Sequence, residues 1–119
     1  MNVPVLDESK LRQIIDLDDG RAELLREMEG LFKEEAPRRL KAIREAIESN
    51  RAWAAMEAAH ALKGASGLMG AERVYSLARD IETEAKAERL PSLETLGGLT
   101  TALADAEAAI DNFLTQFKA

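Results

Sequence analysis

The 119-residue sequence has no cysteine, one histidine, one tryptophan and one tyrosine. Without cysteine there is no disulfide framework, and redox state leaves no trace. Aromatic residues make up only 4%, so aliphatic side chains and alanine must fill the core. No apolar run approaches the length of a membrane span, and the N-terminus lacks a basic-then-apolar signal. A cytoplasmic location away from the membrane is therefore expected. The net charge of −6 argues against a general nucleic-acid partner. Low-complexity tracts, short repeats and strand-like alternation are all missing. Gly64-x-x-Gly67-x-x-Gly70 has no Lys-Ser/Thr after it, so it is no P-loop.

What remains is a succession of amphipathic helical patterns. Residues 1–119 suit one domain that buries about two-thirds of its unfolded surface. After a lead from Met1 to Leu6, Asp7 is placed to cap a short helix carrying Leu11, Ile14 and Ile15, which ends near Asp18-Asp19-Gly20. Leu24, Leu25, Met28, Leu31, Phe32, Ala36, Leu40, Ile43 and Ile47 recur at threes and fours. Pro37 interrupts them, which predicts a kink or break near Lys33 to Ala36. The periodicity continues past it and favours one kinked helix. The charges of Lys33-Glu34-Glu35 and Arg38-Arg39 read as a solvated face.

Ser49-Asn50 is expected to end that helix and to cap the next, which runs from Arg51 to about Leu68 and stops at Gly70. Val74, Leu77, Ala78, Ile81 and Ala85 mark another helix over Glu72 to Ala87. Ser92 can cap a last one, with Leu96, Leu99, Leu103, Ala106, Ile110, Phe113, Leu114 and Phe117 on one side. Gly97-Gly98 weakens its start by about 1 kcal/mol per glycine, so it either begins at Leu99 or bends there. The fold class is all-α: an antiparallel four-helix bundle with a short additional N-terminal helix.

The only histidine lies in Ala59-His60-Ala61-Leu62-Lys63-Gly64-Ala65-Ser66-Gly67-Leu68-Met69-Gly70-Ala71. On a helix, Ala54, Ala58, Ala61, Leu62, Ala65 and Met69 fall on one side. His60 falls nearly opposite, with Trp53, Met56, Glu57, Lys63, Gly64 and Gly67 as neighbours. Each glycine costs a helix interior about 1 kcal/mol relative to alanine. Gly64 and Gly67 lie on the histidine side, not the alanine side. They either clear space for something bulky to reach His60 or mark an early helix end before Gly70. A metal site needs several ligands, and there is no second histidine. A nucleophile or proton carrier remains, because a neutral imidazole can attack an electrophile. Lys63 offers positive charge to an arriving anion. Together they suit reversible capture of a phosphoryl group.

Ala59-His60-x-Leu62-Lys63-Gly64-x-Ser66-Gly67-x-x-Gly70-Ala71 resembles the signature of histidine-containing phosphotransfer (HPt) domains of bacterial phosphorelays. Leu6-Asp7, Phe32, Pro37 and Ile81-Glu82 extend the likeness weakly over nearly the whole chain. The resemblance implies a helical bundle whose histidine is phosphorylated on Nε2. It implies that Lys63 helps hold the phosphoryl group and that Gly64 leaves room for a receiver domain. Gly97-Gly98 and Trp53 depart from the pattern.

Three roles compete. In the first, a phosphocarrier without kinase activity, His60 takes a phosphoryl group from a receiver-domain aspartyl phosphate and passes it to an aspartate of another receiver or response regulator. In the second, the chain is the phosphorylatable substrate domain of a chemotaxis-type histidine kinase. In the third it is a non-catalytic helical adaptor. The glycine placement argues against the third, and Ala59-His60-Ala61-Leu62 looks closer to the phosphorelay type than to the second. On the first reading the partners are receiver domains of a hybrid histidine kinase or a response regulator. The metal, Mg²⁺, comes with the receiver and none is bound here. Met56, Trp53, Glu57, Gly64, Gly67 and Leu68 form the docking surface, although Trp53 could equally tuck against a neighbouring helix. A monomer is expected.

Overall fold

The computed structural model describes residues 3–117; Met1, where the expected lead begins, lies outside them. Five helices follow one another: α1 (Glu8–Leu17), α2 (Glu23–Glu48), α3 (Ala52–Leu68), α4 (Glu72–Lys86) and α5 (Leu93–Leu114), with no strand among the described residues. Short turns join α2 to α3 and α3 to α4, which forces neighbours to run antiparallel. α3 packs between α2 and α4, α5 closes the bundle against α2 and α4, and α1 lies on α2. The all-α bundle with an extra N-terminal helix is the architecture expected.

One core runs through it. Leu11, Leu25, Phe32, Ile43, Leu62, Val74, Leu99, Ile110 and Phe113 are among its buried members. Beside the turn between α2 and α3 sits a smaller cluster of Ala46, Ala55 and Ala85, with Met56 and Leu90 packed on it. Alanines dominate where α3 meets its neighbours, so the helices approach closely there.

Local chemistry sets the helix ends. The Asp7 carboxylate accepts from the Ser9 N–H and caps α1, and the Ser92 hydroxyl accepts from the Thr95 N–H and caps α5. Gly70 ends α3 at φ +68, a left-handed conformation natural to glycine. Asn50 does not cap α3. It turns the chain at φ 56, and the N-cap is Arg51, with no side-chain cap bond. Ser49 instead donates to the Glu45 carbonyl.

The preference for one helix across Pro37 is met, and three expectations about packing change. α2 is a single unbroken helix through Pro37, which sits on its exposed side, where water can reach the Lys33 carbonyl left without its usual donor. Leu24 and Leu31 lie outside the buried stripe of α2. Of the two alternatives for α5, a start at Leu99 is excluded: the helix runs from Leu93 through Gly97-Gly98. A Cβ at either glycine would meet nothing within 4 Å, so both face solvent and the stripe beneath them is uninterrupted. Nor is Lys33 merely solvated. It reaches from α2 to α5, 3.1 Å from Asp111, and also approaches Glu29 at 3.6 Å.

Candidate functional site

α3 buries Ala55, Ala58, Ala59, Leu62 and Ser66. This stripe is rotated by roughly 60° from the alanine side read off the sequence. Ala54, Ala61 and Ala65 are half-buried at its edge. The rotation comes from α4, which covers the side that holds Ala55, Ala59 and Ser66. Ser66 can be buried because its hydroxyl donates to the Leu62 carbonyl at 2.7 Å. His60 stays outside the core, with its side chain 66% exposed.

The ring is nonetheless held. Its Nδ1 lies 2.7 Å from Oε2 of Glu82 on α4. Lys63, one turn along α3, places Nζ 2.6 Å from Oε1 of the same carboxylate. Lys86, one turn along α4, approaches Oε2 at 3.6 Å. Glu82 itself is only 5% exposed. A buried carboxylate requires partners, and here they come from two helices. The hydrogen bond from Lys63 holds the Glu82 carboxyl below the ordinary glutamate range, against the opposing effect of burial, and the bond from His60 adds to it.

An ionised carboxylate can only accept hydrogen bonds, so Nδ1 carries the proton and donates it to Glu82. In the neutral ring the lone pair then lies on Nε2, the nitrogen turned away from Glu82. The arrangement sets the tautomer of an exposed imidazole. Glu82, quoted from the sequence only for the family likeness, is the neighbour of His60 that the reading of single positions misses. Its signal was present: it falls among Ala78, Ile81 and Ala85, a carboxylate inside an otherwise apolar stripe.

The other expected site residues divide. A Cβ at Gly64 would meet nothing within 4 Å, so the surface beside His60 is open there. Gly67 differs: a Cβ there would touch the Tyr75 ring at 3.4 Å. Any clearance that Gly67 offers is limited by that ring. Trp53 does not tuck against a neighbouring helix; it is 71% exposed. Glu57 is exposed beside it. Met56 is half-buried on the small alanine cluster, so it contributes only part of its surface. Leu68 is 67% exposed and Leu31 66%. Between them lies a largely apolar groove of about 180 Å³ lined by Met28, Leu31, Phe32, Glu35, Ala65, Leu68 and Met69. Among the described residues, no three His, Asp or Glu side chains converge on a metal position, and no helix is long and apolar enough to cross a membrane.

Comparison with known proteins bears on the fold and the family. The backbone is similar to that of the crystal structure of histidine-containing phosphotransfer protein B (HptB) from Pseudomonas aeruginosa PAO1, with a TM-score of 0.82, 19% sequence identity, and coverage of 98% of this chain and 100% of that one. At that identity the likeness speaks for the fold. No curated protein sequence matches. The family model described as Hpt domain matches residues 27–116, a span that includes His60, Lys63, Gly64 and Glu82. By that match the chain belongs to the Hpt domain family.

Proposed function

We propose that this domain is a phosphorelay phosphocarrier in which His60 takes a phosphoryl group from the aspartyl phosphate of one receiver domain and gives it to an aspartate of another receiver or response regulator. The observation that carries this reading is the hydrogen bond from His60 Nδ1 to Glu82. It leaves an exposed Nε2 free to attack.

The chemistry balances without a proton transfer. The Nε2 lone pair attacks phosphorus, the P–O bond to the donor aspartate breaks, and its electron pair leaves with the carboxylate. Nδ1 keeps its proton, so the phosphorylated ring bears a positive charge that faces the Glu82 carboxylate. A cationic ring is a good leaving group, which keeps the phosphoryl group transferable to the next aspartate. Lys63 supplies charge to the phosphoryl oxygens. Catalysis is positioning and charge stabilisation in an interface that excludes water. Mg²⁺ is supplied by the receiver, and the domain has no kinase activity of its own.

The receiver docks over Gly64, with Trp53 and Glu57 on one side of His60 and the Leu31–Leu68 groove on the other. An exposed aromatic and an apolar groove beside the nucleophile are the anchors such an interface uses. The domain works as a cytoplasmic monomer.

The test is transfer from a phosphorylated receiver, followed by mass spectrometry. The parent protein should gain one phosphoryl group and His60→Gln none. Undiminished labelling of His60→Gln would reject the assignment. Labelling by ATP and a kinase core but not by any receiver would favour the kinase-substrate role instead.

A further inference from the structure

Glu82 is the meeting point of three nitrogen bases. His60 and Lys63 reach it from α3, at 2.7 and 2.6 Å, and Lys86 reaches it from α4, at 3.6 Å. The role proposed for Lys63 conflicts with where it stands. Its ammonium already serves Glu82 Oε1, and a phosphoryl group on Nε2 would lie on the opposite edge of the imidazole from Glu82. To touch that group, Lys63 has to loosen its hold on a carboxylate that is 5% exposed. A carboxylate so buried then calls for another charged partner.

Lys86 is the residue suited to make up the deficit. It lies one helical turn beyond Glu82, on the same side of α4. Its side chain is 64% exposed, so it is free to move. At 3.6 Å it stands just beyond hydrogen-bond length, and a small rotation of the flexible stem would close the gap. We infer that Lys86 is a positioning residue for phosphoryl transfer: it takes up the Glu82 carboxylate when Lys63 turns to the phosphoryl group. Glu82 then keeps two partners throughout, the Nδ1 proton and one ammonium. The two lysines exchange duties with no buried charge left unpaired. This inference rests on the phosphocarrier reading of His60.

Phosphoramidate provides a test that needs no receiver. Nε2 attacks its phosphorus, the P–N bond breaks, and ammonia leaves. The parent and His60→Gln proteins serve as controls: a parent that takes no label at His60 from phosphoramidate or from a phosphorylated receiver indicts the phosphocarrier reading, not Lys86. With that established, Lys86→Met should slow labelling by roughly threefold or more, and Lys86→Arg should stay within about twofold of the parent, because a guanidinium can hold the same carboxylate. In a Glu82→Gln background Lys86→Met should have no further effect, since no charge remains to be held. A parental rate for Lys86→Met overturns the inference. So does a full effect of Lys86→Met in the Glu82→Gln background, which would place Lys86 on the phosphoryl group itself. Should Glu82→Gln fail to fold, ¹H–¹⁵N spectra of the lysine ammonium groups in the parent decide the matter. On phosphorylation the Lys86 signal should become protected from exchange as that of Lys63 shifts. A Lys86 signal that stays unprotected overturns the inference.

Discussion

Asp7 and Gly70 grip each other through their backbones: the Asp7 N–H donates to the Gly70 carbonyl at 2.8 Å, and a Cβ on Gly70 would stand 2.7 Å from the Asp7 carbonyl oxygen. The contact pins the start of α1 to the turn between α3 and α4. It also explains why Gly70 does more than stop a helix.

Gly70→Ala therefore faces two penalties. A left-handed backbone at φ +68 strains any residue with a Cβ, by about 1 kcal/mol or more, and the Asp7 backbone has to retreat. The expected loss is about 2–4 kcal/mol, read as a fall in the urea midpoint. A midpoint unchanged from the parent would show that the N-terminal segment yields freely.

Gly64 should behave in the opposite way. It is helical and its Cβ position is open, so Gly64→Ala should gain up to about 1 kcal/mol of stability. Gly64→Gln should keep the helix and obstruct an approaching receiver. Melting temperature and transfer rate are to be measured on the same variants. Stability held with transfer reduced is the expected pair. If both fall together, Gly64 serves the backbone and not access.

Glu29 makes stability depend on pH. It is buried between α2 and α5, and its Oε2 has no hydrogen-bond partner. Burial, then the hydrogen bond and charge of Asp111, push its carboxyl up to about 7, with Lys33 opposing. In the unfolded chain it titrates near 4.5. Between those values the folded state holds the extra proton, so stability falls as pH rises from 4.5 to about 7 and then levels off. The loss is at most roughly 3–4 kcal/mol. Glu82 acts with the opposite sign: its carboxyl is held low, so its contribution is present above the ordinary glutamate range and fades on acidification. Glu29→Gln should raise the urea midpoint at about pH 8 and leave it little changed at about pH 5. Equal shifts at both would show that Glu29 does not titrate in this range.

The bundle could be read from the sequence because its signals are local. The stripes of α4 and α5, the caps at Asp7 and Ser92, and the stop at Gly70 each depend on residues within a turn or two. The same holds for the exposure of His60. The features missed depend on how helices meet. Glu82 is 22 residues from His60, and only the packing of α3 on α4 brings them together. That packing also turns α3 enough to place Tyr75 beside Gly67. Leu31 fits the apolar periodicity of α2 yet remains outside the core, because among the described residues no further helix covers the seam between α2 and α3. Lys63 looked like a free surface charge until its partner came into view.

His60, Gly64 and Leu68 succeed one another along α3, within about a quarter turn of its axis and some 12 Å of its length. The groove that ends at Leu31 continues this same side. A protein with one landing face receives one visitor at a time. In the proposed role, donor and acceptor compete for that face, and every cycle includes a departure. A receiver that lingers after transfer becomes an inhibitor of its successor. Flux through the relay would then peak at intermediate affinity, where residence just outlasts the chemistry, and tightening either complex beyond that point would slow the pathway.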